Sequence, residues 1–277
     1  MLRRKKGGET ITCFVLLERQ TVVGLCAFFF TAAFLVTLAR GAALETTARF
    51  SEAISGRRIV LDPGHGGPDP GAVGRTGLKE KDLVLEIAFR LRRLLGRAGA
   101  YVVMTRETDR DFGGEEATLL ARKRRDLAYR VGLANRLKAD VYLSIHANSI
   151  ADPRWAGAQV FYCPGRPLAR ELAASLQAAL TAHLGPNYRL AKPAEYRVLV
   201  ETQMPAVVVE VGFLSNPAEE ALLATSAYRE KIAEALYQGL LHYFLLLRER
   251  RESLSPGEPF LPVGSAFSVL CGIDFAT

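Results

Sequence analysis

Apolar residues along this chain recur in two rhythms, and the switching between them predicts the architecture. Short, nearly continuous apolar runs fall at Arg58–Asp62, Tyr101–Thr105, Val141–Ile145, Ala158–Tyr162 and Ala206–Val211. Runs of that length, bounded by turn residues or charges, predict buried strands. Between them the spacing lengthens to three and four. Over 80–98, Leu83, Ile87, Leu91, Leu94 and Leu95 share one face of an expected helix, with Gly99 just past its end. A second helix is expected over 119–138, with Leu120, Leu127, Val131 and Ala134 inward and arginines outward. Further helices are expected at 166–183, 217–224 and 227–249, and Arg197–Val200 reads as one more short strand.

Strands alternating with helices predict a single α/β domain, 57–250, whose mostly parallel central sheet has helices on both faces. Ahead of it, segment 1–20 carries Arg3, Arg4, Lys5 and Lys6, and 21–39 is an uncharged run bracketed by Arg19 and Arg40. At ~1.5 Å per residue a helix of that length approaches the ~30 Å hydrocarbon core. The basic flank predicts the amino end inside and the domain outside. The segment is read as a transmembrane anchor, with a cleaved signal peptide as the alternative; export follows from either. Residues 40–56 read as a linker and 251–277 as a tail whose pattern assigns no element.

Composition narrows the partners. With 49% hydrophobic residues, the chain is not a mainly disordered protein. Its formal charge of +7 suggests an anionic neighbour: nucleic acid, a membrane surface or a bacterial wall. The basic residues lack the run of interleaved aromatics that a nucleic-acid platform needs, which excludes that partner. Arg122-Lys-Arg-Arg125 reads as a solvated helix face, with contact to anionic wall or lipid as the second reading. Cys13, Cys26, Cys163 and Cys271 have neither CxxC spacing nor a disulfide framework and read as free thiols.

The candidate chemistry sits where strands end. His65 follows the first strand of the domain in Asp62-Pro-Gly-His-Gly-Gly67, His146 follows Val141–Ile145, and Glu210 closes Ala206–Val209. Loops at the carboxyl ends of parallel strands converge on one crevice. Two histidines and a carboxylate there suggest a metal site, zinc or another divalent ion, with a position left for water. Glu80, which opens the next helix, is either a further ligand or a first-turn acid complementing the helix dipole. His183 and His242 lie on expected helices, the first at a helix end and the second as partly buried packing. No GxxxxGK[ST] or GxSxG sequence is present, which argues against a phosphate loop and a serine nucleophile.

Taken in order, these pieces resemble the zinc-dependent N-acetylmuramoyl-L-alanine amidases of the amidase-3 family. The resemblance runs from Ile59-Val-Leu-Asp-Pro-Gly-His-Gly-Gly67 through Gly77-Leu-Lys-Glu-Lys-Asp82, Met104-Thr-Arg106, Arg130 to Asn135 and Ser144-Ile-His-Ala-Asn148 to Pro205-Ala-Val-Val-Val-Glu-Val-Gly-Phe-Leu-Ser-Asn216. It implies one Zn2+ held by His65, Glu80 and His146, with Glu210 as the catalytic carboxylate and peptidoglycan as the substrate. Arg106 and Asn135 are expected to organise the fold. The stretches 121–127 and 155–162 are similar to the germination-specific, CwlD-like spore-cortex subgroup. That likeness implies functional pairing with a muramic acid deacetylase on the way to muramic-δ-lactam. The competing expectations are a general autolysin of the same chemistry, another metal-dependent amide hydrolase, and a non-catalytic, membrane-tethered wall binder.

Overall fold

A computed structural model describes residues 2–6, 9–13, 24, 27–35, 37, 52–116, 118–185 and 187–253. The chain divides into two units, 1–49 and 50–277. In the first, β1 (Leu2–Lys6) pairs antiparallel with β2 (Glu9–Cys13), and residues 27–35 are helical. Much of the expected 21–39 anchor lies outside the described residues, as do 40–51 of the linker and 254–277 of the tail. Among the described residues no helix is long and apolar enough to cross a membrane.

The second unit follows the alternation in the sequence: β3 (Arg58–Pro63), α1 (Glu80–Arg97), β4 (Tyr101–Met104), α2 (Leu119–Leu137), β5 (Val141–Asn148) and β6 (Gln159–Tyr162). Then come α3 (Pro167–Leu184), β7 (Lys192–Pro193), α4 (Arg197–Val200), β8 (Ala206–Phe213), α5 (Pro217–Leu223) and α6 (Ser226–Ser253). The sheet order is β4-β3-β5-β8-β6-β7. The expectation of a mostly parallel sheet needs correction, because the sheet is mixed: β6 pairs antiparallel with β8, so β6 and β7 oppose the other four strands. The pattern of apolar residues marks a buried strand without stating its direction. The short connection from β5 to β6 reverses the chain without a crossover helix.

Helices cover both faces. On one, α1, α3 and α6 pack on Ile59, Leu61, Leu143, Ile145, Val207 and Val209. Leu83, Ile87, Leu91 and Leu95 of α1 are buried there, and each such side chain contributes roughly 1.5–3 kcal/mol. On the other, Val131 and Ala134 of α2 and Val198 and Leu199 of α4 cover Val60, Tyr142 and Val208. Two helix starts are capped as their sequences allow. Thr118 accepts from the Ala121 amide, and Asn216 accepts from the amides of Ala218 and Glu219.

Two expectations fail locally. Arg197–Val200 is a helical turn, not a strand: the amides of Leu199 and Val200 bond back to the Tyr196 carbonyl. The sheet edge is taken by β7, so burying Val198 and Leu199 against α2 outweighs their β-preference. His242 is exposed on α6 and does not pack in the core, and His183 bonds the Ala179 carbonyl one turn earlier at 2.9 Å. Cys163 is a buried free thiol.

Candidate metal centre

The loop after β3 is bent by a contact that allows no side chain. A Cβ on Gly64 would lie 2.2 Å from Cε1 of His146. The next residue, His65, has φ of 62°, a left-handed conformation that costs a non-glycine residue ~1–3 kcal/mol. Two buried arginines hold it there through the loop's own carbonyls. Arg130 donates to Pro63 O (2.9 Å) and His65 O (2.7 Å), and Arg106 donates to Pro63 O (3.0 Å) and Gly64 O (2.8 Å). Arg106 is thereby desolvated and set beside Arg130, which lowers its pKa to about 10.

Beneath this clamp lies Asp62. It accepts from Thr105 (2.6 Å), Tyr142 (2.5 Å), Ser144 (2.6 Å) and Arg130 (2.8 Å). Burial works to raise its pKa, but Arg130 and the three hydroxyls hold it far below the usual carboxylate range. Lys81 closes the loop from outside, donating to Gly67 O at 2.7 Å and to Asp109 at 2.6 Å.

Sequence reading put His146 and Glu210 at strand ends; both lie within their strands, as ladder partners on β5 and β8. The period of two turns them to the face of Tyr142, Ser144 and Val208. Just beyond His146 the register shifts, and the Ala147 amide donates to Glu80 Oε1 at 3.0 Å. An irregular pairing beside a site frees a main-chain donor in this way.

Glu80 is 3% exposed and turned into the protein. Its Oε1 lies 2.9 Å from His146 Nδ1 and 3.1 Å from His65 Nε2, while Oε2 accepts from Ala72 N at 2.8 Å. A Cβ on Gly71 would meet Oε2 at 2.5 Å, so glycine is needed there too. Ligand atoms from His65, Glu80 and His146 all lie within 4.8 Å of one another, a spacing that a single metal ion could span. The rings of the two histidines meet edge to face with centroids 5.0 Å apart.

Sequence reasoning missed Asp69, whose Oδ2 lies 2.8 Å from His65 Nδ1. The i,i+4 spacing was available, but the loop has no periodicity to mark it. A carboxylate there fixes the ring and leaves Nε2 for the centre. Burial works to lower the His65 pKa, yet its bonds to Asp69 and Glu80 raise it to about 9. Glu80 is held well below the carboxylate range against its burial by His146 and His65. Positive charge is thus favoured where the donors converge.

Glu210 is set differently. Its Oε2 is shielded from solvent and has no hydrogen-bond partner. Burial raises its pKa to about 7; Glu80 adds to this, while His146 and His65 oppose it. Glu210, His65 and His146 line one cavity of about 610 Å³, whose other wall is built from α2 and α4. Of the residues expected to organise the fold, Arg106 belongs to the clamp. Asn135 ties α2 to the turn before β8, donating to Glu201 O at 3.0 Å and accepting from Gln203 N at 3.0 Å.

Known proteins share this arrangement of sequence and fold. Residues 59–242 match the family described as N-acetylmuramoyl-L-alanine amidase. The chain is 44% identical over 193 residues to the germination-specific N-acetylmuramoyl-L-alanine amidase of Bacillus subtilis, covering 69% of this chain and 81% of that protein. It is 33% identical over 233 residues to the amidase AmiA of Escherichia coli, covering 68% and 76% of the two. The CwlD amidase from Clostridioides difficile, solved in complex with the GerS lipoprotein, superposes with a TM-score of 0.67 at 35% identity, covering 69% of this chain and 99% of that one. This chain therefore belongs to the N-acetylmuramoyl-L-alanine amidase family and is an enzyme of that class.

Proposed function

We propose that the protein cleaves the amide between N-acetylmuramic acid and L-alanine with one zinc ion held by His65, Glu80 and His146, and with Glu210 as general base. The observation that carries this reading is the convergence of two imidazoles and a buried carboxylate opposite an unpartnered Glu210 oxygen. The donors fit the metal: two nitrogens and one oxygen without thiolate are a known catalytic zinc set. Asp69 backs His65, and the close approaches at Gly64 and Gly71 leave no room for side chains that would push the donors apart. When bound, such an ion supplies Lewis-acid activation of water and of the scissile carbonyl.

The chain's own groups complete the chemistry. Glu210, poised near neutrality, takes the proton of the attacking water and delivers it to the departing alanine nitrogen. Arg130 and Arg106 hold His65 in its strained conformation throughout. On the likeness to the germination-specific relative, the substrate is spore-cortex peptidoglycan. The amidase step would then prepare muramic acid for a separate deacetylase and muramic-δ-lactam. The 21–39 segment would tether the domain on the outer side of the membrane.

Metal analysis and turnover of the purified full chain test this together. About one zinc per chain is expected, with activity lost on chelation and restored by zinc. Glu210→Gln should retain zinc and lose at least ~10³-fold in turnover, whereas Glu80→Ala should lose the metal. Loss of zinc in Glu210→Gln, with metal and rate both kept in Glu80→Ala, would reverse the assignment. Deleting the gene should remove muramic-δ-lactam from spores. Normal lactam with unseparated growing cells would instead identify a general autolysin.

A further inference from the structure

The basic run on α2 does not all face solvent. Arg122 and Lys123 line the cavity that holds His65, His146 and Glu210. Arg197 of α4 lines the same wall, and its Nη1 donates to the carbonyl of Arg124 at 2.8 Å, joining the two elements beside Lys123.

Among the charged groups that line the cavity, one carboxylate, Glu210, and one cation, Lys123, are left without an ion-pair partner among the described residues. Asp62 and Asp126 are both paired with Arg130, Asp111 with Arg122, and Asp69 with His65. Arg197 is held by Glu201 at 2.7 Å. Lys123 is exposed, and among the described residues no hydrogen bond or ion pair engages its ammonium group, although its charge reaches Asp69. An exposed, unengaged lysine in the wall of a substrate cavity suits an anion arriving with the substrate.

The chemistry of the substrate says which half carries that anion. The lactyl carboxyl of N-acetylmuramic acid is consumed in the scissile amide, so the glycan side offers no charge there. The peptide side carries free carboxylates. We propose that Lys123, seconded by Arg197, forms a carboxylate subsite that reads the acidic stem peptide, favouring stems with a free carboxylate beside the first alanine over stems amidated there. The inference rests on the amidase reading above and adds a specificity to it.

The test compares two muramoyl-peptides, one with a free carboxylate on the residue after L-alanine and one with that group amidated. The full chain should favour the acid in kcat/KM by about tenfold, chiefly through KM, since a charge-assisted contact is made on binding. Lys123→Gln should bring the ratio near one, and Lys123→Arg should keep it. A wild-type ratio near one overturns the proposal. So does a Lys123→Gln effect equal on both substrates, the outcome expected if the lysine only balances Asp69 beside His65. Calorimetric binding of both compounds to the Glu210→Gln protein reads the same preference without turnover. A wild-type chain that turned over neither compound, while the Glu210→Gln protein still bound the acid more tightly, would therefore sink the amidase reading and leave the subsite standing.

Discussion

The guanidinium of Arg130 and the main-chain carbonyl of His65 lie 2.7 Å apart, although the residues are 65 positions apart in sequence. Through this bond a buried arginine on a helix sets the backbone of a strained loop histidine. The same guanidinium neutralises Asp62. Removing it leaves a carboxylate buried without its counter-charge, so Arg130→Met should cost ~3–5 kcal/mol of stability. The cost should depend on pH. The Asp62 pKa is depressed in the fold, so its contribution is complete above the unfolded value of ~3.9 and is lost as pH falls toward the folded one. Urea unfolding of both proteins should show the gap narrowing below about pH 4. A gap constant from pH 7 to pH 3 would mean that Asp62 is not what Arg130 stabilises.

Asp69 touches the candidate centre only through His65. Asp69→Asn keeps the shape and removes the charge that orients the ring. Zinc affinity should weaken by about 10–100-fold with little change in melting temperature. Competition with a chelator of known affinity measures this directly, and unchanged affinity would reduce Asp69 to a loop contact.

As the proposed general base, the Glu210 carboxyl must be ionised to accept a proton, and its pKa is raised to about 7. The rate should accordingly fall as pH drops through this region and level off above it. A cation in the centre stabilises the carboxylate, so in the zinc protein the acid limb of kcat/KM should lie at or below pH ~7. Residual activity in Glu210→Gln should lack this limb. A limb of unchanged position in that variant would assign it to another group.

Gly64→Ala tests the packing of the centre. Its Cβ would meet the His146 ring at 2.2 Å, so the ring or the loop must move. Metal binding should be lost while the domain remains folded, because the displaced groups lie at the cavity and not in either apolar core. Zinc content beside a thermal melt separates the two effects. Full zinc occupancy would show that the loop can yield without disturbing His146.

Much of this molecule could be read in advance wherever periodicity marks burial. The helix over 80–97 announced itself through leucines at helical spacing, and the strand at 206–213 through three consecutive valines, Val207 to Val209. The loop motifs around His65 and His146 drew attention because polar groups followed buried strands. What stayed hidden depends on partners distant in sequence. Nothing in Gln159–Tyr162 specifies that it runs against β8, and the two-residue β7 is too short to leave a pattern. Val198 and Leu199 look like strand residues until α2 is there to cover them. Arg130 looked like one more charge on a basic helix, whereas in the fold it is buried and grips the loop that carries His65.

His146 and Glu210 face each other across one rung of the β5–β8 ladder. Their separation is therefore fixed by main-chain pairing and is independent of any loop length. Insertions in the segments that shape the cavity, such as the stretch bearing Lys123, can accumulate without altering that interval. The interval between these two side chains thus belongs to the sheet, whereas the positions of His65 and Glu80 depend on the loop and helix that carry them.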